Sequence, residues 1–253
     1  MQKLTPLLLT CLLLPLTGQA RDLKVGLQGD YPPFDYEVKG QLTGFNVDIA
    51  NAVCRELKAR CVFVKTTWAD LIPGIESGKL DAVIASMSIT EERKKRVAFS
   101  DKYSQIPGSF VSRKKRILST YITPQDLAGM KIGVQAKTTF ANLIQARFAA
   151  SNKVTEFEGT KEMYEAMRAG EVDVVLDDMV AAYEGFLKKP EGASYELVGS
   201  PIRDRKYLGV GEGVAVNLKN TALLAEVNAA LKNIQSSGEY QQIMKKYFQF
   251  NIY

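Results

Sequence analysis

The sequence predicts an α/β protein of two lobes, each a mostly parallel sheet flanked by helices. Two observations carry that prediction. Short apolar strand runs alternate with amphipathic helical stretches along the chain after residue 20, which is the pattern of β-α-β units. The order strand, polar turn, helix, short strand, helix, strand then occurs twice. The repeat implies two similar lobes joined by two crossings, placed near Gln105 to Ser109 and near Arg203 to Gly211.

The first series opens with strand Leu23 to Leu27, and Gln28 to Phe34 is a loop leaving its end. Gly44-Phe45 leads into a helix with apolar Ile49, Val53 and Leu57 on one face and Asp48 in its first turn. Cys61 to Val64 is the next strand, a helix runs from Thr67 until Gly78 ends it, and Asp81 to Ala85 is the third strand. The second series begins after Phe110, with strand Lys131 to Val134, the polar turn Gln135 to Thr139 and a helix to about Phe148. Strand Val154 to Phe157, helix Lys161 to Ala169 and strand Val172 to Leu176 follow. Asp177-Asp178 stands at the end of that strand and leads into helix Val180 to Leu187. The chain returns through Tyr207 to Gly213 to strand Val214 to Val216, and helices Ala222 to Ser236 and Tyr240 to Phe248 close the fold.

Residues 1–20 combine Lys3, an apolar run from Leu7 to Leu16 and Gly18-x-Ala20, the pattern of a secretory signal cleaved after Ala20. The run is too short to span a bilayer, and Cys11 lies within it as part of the signal. A soluble, exported mature chain from Arg21 is the expectation. With 46% apolar and 24% charged residues the chain is not disordered. The net charge of +5 falls to +4 on losing Lys3, with basic and acidic residues interspersed, so nucleic acid is not expected as a partner. In an exported chain Cys54 and Cys61 are expected to form a disulfide, with buried thiols as the alternative. The sequence contains no histidine, which removes Ser-His and Cys-His catalysis and leaves a poor zinc site. No metal and no cofactor are expected.

Polar or flat residues gather where strands end: Gln28 and Tyr31, Trp68, Ser86 and Ser88 with Arg93 one helical turn on, Gln135 to Thr139 ahead of a helix N-terminus, and Asp177-Asp178. Ligands of such sheets bind at the carboxyl ends of strands. Arg93, Ser88 and the Thr138-Thr139 amides suit a carboxylate, and Asp178 suits an ammonium. Tyr31 and Trp68 would flank a side chain, with added attraction for a cationic one. Each residue also has a plainer use: Tyr31 as loop packing, Trp68 as core, Asp177 or Asp178 as a helix cap, Arg93 on a solvated helix face.

Taken together, YPPF (Tyr31 to Phe34), GFNVDIANAVC (Gly44 to Cys54), Trp68 to Tyr103, GVQAKTT (Gly133 to Thr139), Ala169 to Pro190 and KKYFQFNIY (Lys245 to Tyr253) resemble the periplasmic polar amino-acid binding proteins of ABC importers. The nearest resemblance is to the lysine/arginine/ornithine and histidine group, in order along the whole mature chain. It implies the type II periplasmic binding protein fold, two lobes joined by two hinge strands, with residues 21–106 and 210–253 in one lobe and 107–209 in the other. It also implies a monomer that captures an amino acid without catalysis and delivers it to a membrane permease. By resemblance, Arg93, Ser88 and the Thr139 amide bind the α-carboxylate, Asp178 and Ser86 the α-ammonium, and Tyr31 and Trp68 flank the side chain. The spacing of Cys54 and Cys61 is that of the basic amino-acid group, where a disulfide forms.

The departures bear on the ligand. Gln28 stands where that group carries an acid, Ala85 where it has serine, Lys137 where it has glycine, Phe140 where a polar residue is common, and Asp177 adds a carboxylate. Gln28 argues against free lysine or ornithine, because a buried ammonium wants a charged partner. A polar or cationic amino acid leads, with glutamine or a derivative such as an opine behind it. The choice among them is assigned to Gln28, Trp68, Ala85, Gln135 and Asp177. Cyclohexadienyl dehydratases share the fold and look similar around Thr66-Thr67-Trp68 and Ser88-Ile89-Thr90. Their chemistry needs a carboxylic acid to protonate the leaving hydroxyl; in that family a glutamate follows shortly after the position of Asp178, and here the stretch Met179 to Ala182 carries none.

Overall fold

The computed structural model describes residues 21–253; the expected signal segment, with Cys11, lies outside them. In chain order the first half holds strands β1 (Asp22–Leu27), β2 (Asp30–Tyr31), β3 (Asp35–Val38) and β4 (Gln41–Thr43), helix α1 (Phe45–Glu56), β5 (Arg60–Lys65), a 3₁₀ turn Trp68–Asp70 running into α2 (Leu71–Glu76), β6 (Ala82–Val83), α3 (Glu91–Lys94) and β7 (Val97–Ser104). The second half holds β8 (Gly108–Arg113), β9 (Lys131–Gln135), α4 (Thr139–Arg147), β10 (Lys153–Phe157), α5 (Thr160–Ala169), β11 (Val174–Asp178), a π-helical segment Ala181–Leu187, β12 (Tyr195–Ile202) and α6 (Arg205–Leu208). Strand β13 (Glu212–Asn217) and helices α7 (Thr221–Ser236) and α8 (Glu239–Tyr247) complete the chain.

Two five-stranded sheets result, in the orders β5-β1-β6-β13-β7 and β10-β9-β11-β8-β12. In each, three strands are parallel neighbours, and the fourth in order runs antiparallel to both its partners. Four of the five strands therefore point one way. The reversed strand is β13 in one sheet and β8 in the other, in each case the strand that follows directly on a passage from the opposite sheet. Those passages are residues 105–107 and 203–211.

The apolar periodicity of α1 explains its seat. Phe45, Ile49 and Val53 fall on one face and are fully buried against α7, α8 and the first sheet. Gly44 precedes it with φ +125°, and a Cβ there would stand 2.3 Å from the Phe34 carbonyl oxygen, so glycine alone fits. The second sheet has its own core, in which Ile132, Val134, Val174 and Leu176 meet Leu143 and Ile144 of α4.

Several elements differ from the expectation. The strand expected over Asp81 to Ala85 is only Ala82–Val83, because the chain turns away at Ser86, whose φ is +51°. Asp177 and Asp178 lie within β11, since β8 extends alongside and pairs them with Ser109 and Gly108. The helix expected over Val180 to Leu187 is wound as a π-helix over Ala181–Leu187. The meander β2-β3-β4 and strand β12 were not anticipated, because the meander strands are two to four residues long and rich in Asp, Glu and Gln. Among the described residues no helix is long and apolar enough to cross a membrane.

Cys54 in the last turn of α1 is bonded to Cys61 in β5, with Cα atoms 5.7 Å apart. Closing so short a loop in the unfolded chain is worth roughly 2–3 kcal/mol. The double variant Cys54→Ser/Cys61→Ser is therefore expected to lose about that much in urea unfolding at unchanged slope. An unchanged midpoint would show that the crosslink does not stabilise the fold.

Candidate functional site

The carboxyl ends of β1, β6, β9 and β11 converge on a cleft lined by Gln28, Tyr31, Trp68, Ala85, Ser86, Ser88, Gln135, Thr138, Thr139, Asp177, Asp178 and Glu212, with Ile106, Phe140 and Leu208 as its apolar walls. Of the eleven ligand residues expected from the sequence, only Arg93 does not line it directly. Arg93 is buried beside it, its Nη1 donating to the Ser88 carbonyl at 3.1 Å and its guanidinium carbon 5.2 Å from the centroid of the Trp68 ring. Thr90 Oγ1 accepts from the Arg93 amide at 3.2 Å and so caps the short helix that carries it.

A buried relay positions the first sheet's residues. Asp35 Oδ1 accepts from the amides of Gln28 (3.1 Å) and Gly29 (2.8 Å), and its Oδ2 accepts from Asn46 Nδ2 at 2.9 Å. Asn46 Oδ1 accepts from Tyr103 OH (3.0 Å) and Ser86 Oγ (3.2 Å), while Tyr103 OH accepts from the Ser86 amide at 2.8 Å. Asp35, Asn46 and Tyr103 are wholly buried. They hold Ser86 in the left-handed region, which a non-glycine residue occupies at some cost and where strain tends to mark functional positions. These three supporting residues come from separate elements; Asn46 and Tyr103 fall within the segments that carry the resemblance, but nothing local signals that they meet.

In the second sheet Thr138 caps α4, its Oγ1 accepting from Ala141 N (3.0 Å) and donating to the Gln135 carbonyl (2.7 Å). The Thr139 amide is in the first turn of that helix, where N–H groups lack intrahelical acceptors. Asp178 Oδ1 accepts from Val180 N (2.7 Å) and Ala181 N (2.9 Å), so the capping use is real, yet no donor among the described residues reaches Oδ2. Asp177 accepts from Tyr164 OH (2.9 Å), Tyr31 OH (3.3 Å) and the Asp178 amide (2.8 Å).

Three hydrogen bonds cross from one sheet's residues to the other's: Gln135 Nε2 to Gln28 Oε1 (2.8 Å), Tyr31 OH to Asp177, and Trp68 Nε1 to the Lys137 carbonyl (3.1 Å). All three are made by residues flagged in the sequence or next to one, and they draw the cleft nearly shut.

The electrostatics are lopsided. Burial pushes the Asp177 carboxyl up to about 6 and the Glu212 carboxyl up to about 7. The Asp178 carboxyl lies well above its ordinary value, first through burial and then through the neighbouring Glu212 and Asp177. Burial draws Arg93 down to about 10, still charged at neutral pH. One guanidinium thus faces three carboxyls, an arrangement that favours a ligand carrying a carboxylate and more than one positive charge.

Glu212, Ile106 and Leu208 were not among the expected site residues, and Phe140 entered only as a departure from the resemblance. Glu212 had one available signal, a single acid between glycines at the start of an otherwise apolar strand, Gly211 to Val216.

The sequence profile of the bacterial extracellular solute-binding proteins, family 3, matches residues 23–250. The L-arginine-binding protein of Pseudomonas aeruginosa is 37% identical over 249 residues, which cover 98% of this chain and 95% of that protein. A solved periplasmic binding protein of Salmonella typhimurium, described for high arginine specificity, superposes with a TM-score of 0.83 at 32% identity, covering 91% of this chain and all of that one. An ancestral arginine-binding protein solved with glutamine gives a TM-score of 0.82 at 33% identity, covering 92% of this chain and all of the other.

Proposed function

The chain belongs to the bacterial extracellular solute-binding proteins, family 3, and from that premise we propose that it captures a cationic or polar L-amino acid, arginine foremost, in the periplasm and delivers it to an ABC permease. The observation that carries this reading is the charge pattern of the cleft: one guanidinium set against three carboxyls. Residues 21–106 with 210–253 act as one lobe and 107–209 as the other, closing by motion at 105–107 and 203–211.

In this reading Arg93, Ser88 and the Thr139 amide hold the α-carboxylate, and Asp178 Oδ2 with Ser86 holds the α-ammonium. The side chain lies between Tyr31 and Trp68. A planar guanidinium suits a slot between two aromatic rings, whose faces attract a cation. Asp177 supplies the acid that Gln28 does not, while Gln28 and Gln135 close the far end together.

Capture without turnover is expected. A panel of amino acids and opines should raise the melting temperature only for a few members, by roughly 8–15 °C when the ligand is present at about a thousandfold its Kd. Mass spectrometry should return the bound compound unchanged. If no polar amino acid or opine shifts the transition, the ligand class is wrong; if the compound returns altered, the protein is an enzyme.

A further inference from the structure

Glu212 occupies a place that the roles above leave unused. It stands at the start of β13, directly after the 203–211 passage, and lines the cleft. The residue is buried, with 6% of its surface exposed. Oε1 accepts from the Ile106 amide at 3.2 Å, tying the two passages between sheets together. Oε2 is buried and makes no hydrogen bond of ordinary geometry, although the Ser104 hydroxyl beside it lies close enough to offset part of the effect of burial on the carboxyl. Its backbone forms an isolated bridge with Ser88, whose carbonyl holds Arg93, so Glu212 is a neighbour of the carboxylate grip as well as of Asp178. A buried, unbonded carboxylate oxygen is costly unless something supplies a proton or a cation.

We propose that Glu212 is a ligand-binding residue, its Oε2 accepting from the α-ammonium of the captured amino acid jointly with Asp178, so that capture displaces a proton from the carboxylate pair. The proposal rests on the reading of the chain as an amino-acid binder and adds a specificity-determining acid to it. An ammonium has three donors, and Asp178 Oδ2, Ser86 Oγ and Glu212 Oε2 provide three acceptors from three separate elements. Ligands that lack a primary α-ammonium, or carry a bulky substituent on it, leave Glu212 unpaired and are disfavoured.

The groups around Glu212 are Asp178 on β11, Lys102 and Tyr103 on β7, and Tyr240 on α8. Lys102 is the one cation among them, and its Nζ donates to Gln105 Oε1 at 2.8 Å. With its carboxyl pushed up to about 7 by burial, Glu212 is partly protonated near neutrality and loses that proton when a cation arrives. Affinity is therefore higher above pH 7 and falls as pH drops through it, by about tenfold between pH 8 and pH 6 for this one group.

The test is calorimetric titration of the full mature protein and of Glu212→Gln with L-arginine, L-ornithine and L-histidine at pH 6 and pH 8, in buffers of different ionisation enthalpy. The glutamine keeps an oxygen for the Ile106 amide, so the tie between the passages survives and only the Oε2 acceptor and the charge are removed. The expected result is a loss of affinity of about tenfold to a hundredfold at pH 8. About half a proton fewer should be released on binding at pH 7, and the pH dependence should be shallower. Wild-type affinity and proton release in the variant would overturn the proposal and leave Glu212 as a partner of Ser104, its buried register neighbour with an equally unbonded Oγ. If the wild-type protein binds none of the three amino acids, the functional reading falls and this proposal with it.

Discussion

Arg93→Ala is expected to abolish useful affinity for the amino acid while leaving the fold in place. The guanidinium is buried beside a cleft whose own lining consists of acids and neutral groups. Removing it leaves a ligand carboxylate desolvated and without its two-pronged donor, a loss of about 2–5 kcal/mol, or thirtyfold to several thousandfold in Kd. Arg93→Lys keeps a charge but not the planar fork and should recover only part of the loss. The stack over Trp68 disappears in the alanine variant, so a modest drop in melting temperature accompanies the change. Calorimetric titration with a folded variant, checked by circular dichroism, reads both effects. A Kd within threefold of wild type would remove Arg93 from the site.

Asp178→Asn should produce an effect of similar size on binding with the opposite effect on the empty protein. Asparagine retains the oxygen that accepts from Val180 and Ala181, so the cap on the π-helical segment is kept. The charge facing the ammonium is lost, at about 2–5 kcal/mol of affinity. In the unliganded protein burial and the acids nearby hold the Asp178 carboxyl well above its ordinary value. The folded state then keeps a proton that the unfolded chain releases near pH 4, and folding stability falls as pH rises above that value. Asp177, Glu212 and Asp35, raised to about 6, 7 and 7 by burial, act in the same direction. The unliganded wild type should thus melt higher at pH 5 than at pH 8, and Asp178→Asn should narrow the gap by stabilising the protein at pH 8. A variant less stable than wild type at pH 8 would mean that the aspartate charge is satisfied within the protein.

These acids also account for what was legible in the sequence and what was not. The strand ends could be read because apolar runs stop there and polar residues begin, and ten of the eleven proposed ligand residues line one cleft as a result. Arg93 was legible as chemistry but not as placement. Its four-residue helix looks like a solvated charged segment, and only packing against Trp68 and Ser88 buries it. That Asp35, Asn46 and Tyr103 meet in a relay was invisible, since each residue lies in a different element. Strand β7 was not anticipated, because Ser100, Asp101 and Lys102 interrupt its apolar character. Its pairing with β13 supplies the order that its composition does not.

The sequence by itself determined the α/β repeat, the parallel core of each sheet and the polar strand ends, because these depend on local periodicity and on residue type. The tertiary structure decided which strand in each sheet runs backwards, how Ser86 is held in its strained turn, and that Glu212 joins Asp177 and Asp178 in one cleft. Those features depend on groups from distant segments sharing a desolvated space. A carboxylate separated by 34 positions from its neighbour in the cleft carries no trace of that neighbour in its own local pattern.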